Sequence, residues 1–290
     1  MKKVFYLLSM AVLPVFLAVS CNRNDDEPTP TPKEEVLLPS KVEETYYDKD
    51  GNQKRTSVYD LTYDGTKLTK MVSRDGEGNT TFAYQDNLLV KVKSDEEERV
   101  FEYDSKGNLV KETLVSSYGG TTTTDIYTYE LSESSVNVTY NRKNVSGGEL
   151  KLEAVGTYTY TLTPNKQVVK VVGKKASIAY FSPTLSYNYE TTREEDYTYD
   201  DKNSIFKNIS GFDKLGYSQF MLAVSLGNFN NVLTKSSKDV SKDVGYTDIY
   251  TQTEAYKYTY NDKNFPTEFE NSVDGKKYRV SKIEYKTVTK

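Results

Sequence analysis

From Lys41 onward, apolar and polar positions alternate with a period of two and are punctuated by turn-forming residues. One unit recurs: aromatic-x-Tyr, a turn rich in Asp, Asn, Lys and Gly, then an aliphatic alternation. It stands as Tyr59-Asp60-Leu61-Thr62-Tyr63-Asp64-Gly65, as Phe82-Ala83-Tyr84-Gln85-Asp86-Asn87 and as Phe101-Glu102-Tyr103-Asp104-Ser105-Lys106-Gly107-Asn108. It returns as Tyr127-Thr128-Tyr129, Tyr158-Thr159-Tyr160, Tyr197-Thr198-Tyr199 and Tyr256-Lys257-Tyr258-Thr259-Tyr260. The closing tyrosines, Tyr63 to Tyr260, stand 21, 19, 26, 31, 39 and 61 residues apart, so early units are tight and later ones carry insertions.

Side chains two apart on a strand share a face, so each aromatic pair lies on one side of a sheet while Thr, Glu or Lys faces the other. Turns containing Asp-Gly or Asn tolerate positive φ and reverse the chain. A lone hairpin is barely stable in water, so neighbouring hairpins must bury their aromatic faces together. The pattern predicts an all-β fold, a large curled antiparallel meander forming a single Tyr-rich domain over residues 41–290.

Ser204 to Leu226 breaks the alternation. Ile205, Ile209, Phe212 and Leu215, then Tyr217, Phe220, Met221 and Val224, recur at spacings of three and four. Those spacings predict short helices interrupted at Gly211 and Gly216, capped by Asn203 or Ser204 and packed on the concave face of the sheet.

Composition narrows the chemistry. Tyrosine is in surplus, at 26 residues beside 11 Phe and no Trp, and both Tyr and Thr favour the half-buried surface of a sheet. There is no His, so no Ser-His-Asp or Cys-His nucleophile can be assembled, and no ordinary zinc or copper site. Glycoside hydrolysis by two carboxylates and calcium binding by oxygen ligands survive this filter. No cofactor is expected.

The first residues read as a secretory leader, residues 1–20. Met1-Lys2-Lys3 is a positive start, Val4 to Val19 is almost wholly apolar, and Ala18-Val19-Ser20-Cys21 follows. The stretch is too short and wrongly flanked for a permanent membrane span. Small residues ahead of the sole cysteine resemble the lipobox of bacterial lipoproteins, which implies that Cys21 is acylated and becomes the first mature residue. Losing Lys2 and Lys3 leaves 36 basic against 42 acidic side chains, a net charge of −6. That balance argues against a nucleic-acid partner, which needs a basic stripe. With the cysteine taken by lipid, no disulfide is expected.

Residues 21–40 read as a flexible Pro-rich tether, with Pro28, Pro30, Pro32 and Pro39 behind the acids Asp25-Asp26-Glu27. Its Pro-Thr alternation favours extended polyproline II. Acids close behind the acylated cysteine resemble the export signal that places Bacteroidetes lipoproteins on the outer face of the outer membrane. The cell surface is therefore expected ahead of the periplasmic face, with the membrane a partner through Cys21.

Two family resemblances follow from these residues. Tyr103-Asp104-Ser105-Lys106-Gly107-Asn108-Leu109 resembles the YD repeat of Rhs-type shell proteins. A wider resemblance, over most of the chain after Lys41, is to a family of uncharacterised Bacteroidetes lipoproteins, a domain of unknown function with a porin-like fold. Its marks are the Tyr-rich hairpins, Tyr199-Asp200-Asp201-Lys202-Asn203, Asn230-Asn231 and Tyr260-Asn261-Asp262-Lys263-Asn264-Phe265-Pro266-Thr267. The resemblance implies a large curled antiparallel sheet, and no activity or site residues; a partly closed barrel or half-barrel is expected. A membrane-spanning barrel needs an outward apolar band about 25 Å tall. Segments such as Arg99 to Asp104 instead set a charged or hydroxylated face against the aromatic one, so insertion is not expected.

Each candidate site has a plainer explanation. Asp48-Lys49-Asp50-Gly51-Asn52 starts like a calcium loop, but the required Gly falls at Gln53 and the bidentate acid at Tyr59, which leaves a hairpin turn. Asp95-Glu96-Glu97-Glu98 and Glu194-Glu195-Asp196 offer carboxylates for a glycosidase pair. Both clusters read as solvated, edge-protecting charge runs beside strand ends, with no apolar pocket to raise a pKa. Gly119-Gly120 and Gly147-Gly148 read as turns, and the sequons at Asn79, Asn137, Asn144 and Asn208 as coincidence in a bacterial chain. The tyrosine ladder has binding potential, because rings stack on sugar faces and hydroxyls hydrogen-bond, with core packing as its competing use.

The expected role is non-enzymatic. An outer-membrane lipoprotein would bind a ligand, a glycan among the candidates, or scaffold other envelope proteins. A carboxylate-dependent glycan hydrolase and a periplasmic carrier of lipid or lipoprotein stay open. Lipidation at Cys21 is the one residue assignment.

Overall fold

The alternation folds into antiparallel strands, sixteen among the described residues. In the computed structural model those residues are 35–76, 78–182, 185–220, 229–243 and 245–289. The leader, Cys21 and the tether as far as Glu34 lie outside them, as do Met221 to Leu226 of the stretch expected to be helical.

The strands are β1 (Glu35–Tyr47), β2 (Gln53–Asp64), β3 (Lys67–Ser73), β4 (Asn79–Gln85), β5 (Leu88–Lys93) and β6 (Glu97–Tyr103). Then come β7 (Leu109–Tyr118), β8 (Thr121–Leu131), β9 (Ser135–Ser146), β10 (Glu149–Leu162) and β11 (Val168–Ser182). The last are β12 (Leu185–Tyr199), β13 (Val232–Asp243), β14 (Tyr246–Tyr260), β15 (Pro266–Val273) and β16 (Lys276–Thr289). Each pairs with its sequence neighbours, and β16 pairs back onto β1 from Glu35↔Thr289 to Tyr46↔Arg279.

The barrel is therefore closed, where a partly closed one was expected, and closure leaves no sheet edge to protect. The first strand begins at Glu35, so the last residues read as tether belong to the wall. Pro39, which cannot donate to a ladder, sits in β1 where the register with β16 shifts between Pro39 and Lys41.

Recurrent turn chemistry reverses the chain. Asp104 Oδ1 accepts the backbone N–H groups of Lys106 (2.8 Å) and Asn108 (2.9 Å), while Gly107 takes φ 76°. Asn261 repeats the device with Lys263 and Phe265, both at 3.0 Å. A side-chain acceptor followed by a left-handed residue is what makes these short segments turn.

The aromatic face lines the interior. In β9, Val136, Val138 and Tyr140 are buried while Asn137, Thr139 and Asn141 are exposed. Phe82, Phe101, Tyr129, Tyr160, Tyr256 and Phe269 join one core around the ring. Outward positions carry ion pairs such as Lys41–Glu284 (2.6 Å) and Lys111–Glu102 (2.7 Å), with single apolar residues such as Val172 between them.

The repeat also has a hydrogen-bonding purpose. Tyr103 donates its hydroxyl to Leu89 O (2.7 Å), Tyr199 to Val168 O (2.6 Å), Tyr258 to Val232 O (2.9 Å) and Tyr285 to Pro266 O (2.8 Å). In every case an even strand's tyrosine ties down a carbonyl at the start of the preceding strand. These ties lie at the barrel end that carries the even-to-odd connections.

The long β12–β13 connection plugs that end. Over its described residues 204–220 it makes successive three-residue turns instead of α-helices, with Lys207 N bonded to Ser204 O (3.2 Å), Ile209 N to Phe206 O (2.9 Å) and Ser218 N to Leu215 O (3.0 Å). One 3-10 turn, Phe212–Leu215, is entered through Gly211 at φ 80°. A Cβ at Gly211 would meet Leu89 N at 2.8 Å, so only glycine fits where the chain presses on the wall, and its left-handed φ is not that of an α-helix. The spacing of three reflected these turns, and it sends Ile205, Phe206, Ile209, Phe212 and Leu215 into the core as the concave-face expectation required. Asn208 Nδ2 donates to Leu37 O (2.9 Å) and Tyr217 OH to Leu109 O (3.0 Å), bridging opposite walls.

Candidate functional site in the barrel lumen

Beyond the plug the luminal face turns polar, and its charges are paired across neighbouring strands. Glu44, with no exposure, bonds Arg279 Nη1 at 2.8 Å. Asp125 takes Arg142 through Nε and Nη2, both at 2.6 Å, and Asp239 takes Arg193 at 2.8 and 2.7 Å. These forks are geometrically specific charge-assisted bonds. They strengthen the hold on the guanidinium proton, so Arg142 and Arg193 have raised pKa values.

Glu112 joins the wall to the plug. It is completely buried, pairs with Arg99, and accepts from Tyr129 OH (2.9 Å), Ser218 Oγ (2.5 Å) and Gln219 N (3.2 Å). Gln219 then reaches Tyr160 OH through Nε2 at 2.5 Å. That contact forms the floor of a cavity of about 190 Å³.

Tyr127 on β8 and Tyr140 and Arg142 on β9 form one wall, with the two rings 4.9 Å apart and tilted 31°. Tyr158 on β10 and Val171 and Lys175 on β11 form the back, and Thr191, Arg193 and Glu195 on β12 the opposite wall. The arginine side chains keep 40% and 47% of their exposure, so the cavity is reachable from the end away from the plug. The Tyr158 ring fits because β11 has a glycine beneath it. A Cβ at Gly173 would lie 2.1 Å from Tyr158 Cδ1.

Burial, aided by Asp125, pushes the Tyr127 hydroxyl up to about 12. Tyr140 and Tyr160 are raised as well, chiefly by burial. The rings therefore present neutral hydroxyls beside charged guanidiniums at neutral pH. Glu195 accepts from Tyr197 OH (2.8 Å) and lies 3.5 Å from Lys235 and 3.9 Å from Arg193 Nη1.

The sequence candidates divide. Asp48 Oδ1 accepts the N–H groups of Asp50 and Asn52, both at 2.9 Å, so the calcium-like segment is a hairpin turn. Both glycine pairs are two-residue turns, and Asn208 is used inside the plug. Asp95 to Glu98 sits at the β5–β6 turn, where Glu98 pairs with Lys91 (3.0 Å) and Lys93 (3.4 Å).

Glu194-Glu195-Asp196 needs correction. The three lie well inside β12, where alternation sends Glu194 and Asp196 outward and Glu195, 9% exposed, into the lumen. The signal was present in parity, since Arg193 and Glu195 share the odd-numbered face of Tyr197 and Tyr199. Arg142, Lys175 and Gln219 were not singled out at all, because their meeting depends on closure and on the plug.

Together these features define a closed, plugged barrel with a porin-like fold and a polar luminal cavity. No family model and no curated protein matches the sequence. A porin-like protein from Bacteroides vulgatus ATCC 8482 superposes with a TM-score of 0.54 at 12% identity, covering 87% of this chain and 99% of that one. Another from Bacteroides uniformis ATCC 8492 gives a TM-score of 0.36 at 13% identity, over 86% and 96% of the two chains. The likeness to the Bacteroides vulgatus protein is one of fold.

Proposed function

We propose that this chain is an outer-membrane lipoprotein, anchored through Cys21 and facing the cell exterior, which binds a ligand in its barrel lumen without transforming it. The observation that carries the reading is the cavity between β8 and β12, where rings and oriented polar groups converge. The porin-like description of the Bacteroides vulgatus protein supports an envelope setting. The outer wall, with its rows of Lys, Glu and Thr, supports anchoring over insertion, because a spanning barrel needs an apolar band there.

Non-enzymatic binding fits the carboxylates. Hydrolysis by two acids needs one carboxyl kept protonated and a second one poised beside it. Among the described lining residues the carboxylate is Glu195, already engaged by Tyr197, Lys235 and Arg193. An apolar lipid cargo would strand the same polar groups.

Two experiments test this. Ligand-observed NMR of envelope extracts is run against the wild type and against Thr191→Trp, which fills the cavity from β12. Compounds bound by the first and lost from the second support the reading. A screen that cannot separate the two proteins refutes luminal binding, and product formation from a bound compound refutes the non-enzymatic part. For the anchor, labelling cells with alkyne-palmitate should mark the wild type and not Cys21→Ala, and protease added to intact cells should degrade the protein.

A further inference from the structure

We infer that the lumen binds a neutral glycan, with one sugar ring seated in the cavity and the chain running toward the open end along β12 and β14. The inference rests on the luminal-binding reading above and names its ligand class.

Charge comes first. Arg142 and Arg193 are neutralised in place by Asp125 and Asp239, and Glu195 shares Lys235. The cavity thus presents charged groups held rigid in cancelling pairs. A guanidinium has five N–H donors, and each fork uses Nε and Nη2, leaving Nη1 directed elsewhere. These two pairs offer hydrogen bonds while carrying no net charge of their own, which suits hydroxyls. A phosphate or sulfate seeking the Nε–Nη2 fork of either guanidinium would have to displace its aspartate. Lys175 adds one further ammonium, which sugar oxygens can satisfy.

Ring placement is the second observation. Tyr127 and Tyr140 form a tilted pair, and Tyr158 faces the cavity from β10. Tyrosines continue beyond what packing requires. Tyr187 on β12 and Tyr246 and Tyr250 on β14 share the luminal parity yet remain 44%, 66% and 55% exposed. Rings that stay wet contribute little to a core. Sugars have apolar C–H faces and hydroxyl edges, and tyrosine meets both with ring and hydroxyl. A cavity of about 190 Å³ falls below the ~300 Å³ at which drug-sized pockets begin, so one terminal unit of a longer chain is what it seats.

The test is calorimetry on the mature, acylated protein in detergent micelles. The probes are malto-, cello-, manno- and xylohexaose, with hexagalacturonate and palmitate as contrasting classes. At least one neutral hexasaccharide should bind, at least tenfold more weakly to Tyr158→Ala and as well to Tyr158→Phe. Tyr250→Ala should weaken the hexasaccharide while leaving its disaccharide unchanged. If Tyr158→Ala does not fold, Thr191→Trp carries the same comparison. Binding of hexagalacturonate or palmitate alone, lost in Thr191→Trp, overturns the neutral-glycan class and leaves luminal binding standing. Absence of neutral-sugar binding, or binding untouched by these substitutions, overturns the inference.

Discussion

The ring of Tyr158 occupies the space a side chain on Gly173 would need, with 2.1 Å separating Cδ1 from the position of a Cβ. The two residues are directly paired between β10 and β11. Gly173→Ala must therefore displace an aromatic ring, and overpacking of this kind costs about 1 to 3 kcal/mol. Urea unfolding should show that loss, and pairing the change with Tyr158→Ala should recover part of it. Strictly additive losses would mean that the ring is not what excludes the methyl group.

Tyrosine hydroxyls bonded to strand-start carbonyls should matter more than those without such a bond. Tyr103→Phe and Tyr258→Phe each remove a bond to a main-chain oxygen, at a cost of about 0.5 to 1.5 kcal/mol. Among the described residues no protein group bonds the buried Tyr63 hydroxyl. Tyr63→Phe should accordingly be milder than either, as judged by denaturation midpoints at constant m. Equal losses at all three positions would refute the capping role.

Glu112 is where wall and plug share one charge. Glu112→Ala leaves Arg99 buried without its partner, and breaking a buried pair in this way costs about 3 to 5 kcal/mol. It also releases Ser218 and Gln219, so hydrogen exchange should rise at residues 204–220 ahead of the strands. Uniform acceleration throughout the barrel would contradict a local tether.

Glu44 sets a pH dependence. Burial raises its pKa above the ordinary 4.5, outweighing Arg279, Tyr46 and Ser281, which pull it down. A carboxyl raised by folding contributes stability fully below its unfolded pKa and loses that contribution as pH climbs through the folded value. Glu44→Gln does not titrate, so the stability of the wild type relative to this variant should decline from low to high pH. Urea unfolding at both ends checks the sign, and a gap that widens with pH would refute it.

Period-two alternation made the strands legible, and the aromatic-x-Tyr unit identified the buried face because residues two apart must share a side. The Asp and Asn turns were equally readable, since their side-chain acceptors act within four residues. The plug was misread in detail. A spacing of three fits an α-helix and a run of tight turns alike, and the i→i+3 bonds with Gly211 in the left-handed region show that this segment takes the turns.

The sequence alone determined which side of each strand is apolar, where the chain reverses, and that a single cysteine follows an apolar N-terminal run. These are local properties, set by neighbours a few positions apart. Only the tertiary structure decided that β16 meets β1, that Glu195 meets Lys235 of the neighbouring β13 inside a lumen, and that Gln219 forms the floor beneath Tyr160. Those relationships join residues up to about 250 positions apart, from Glu35 to Thr289. Their geometry follows from strand count, register and the path of one connection, which no short window of sequence contains.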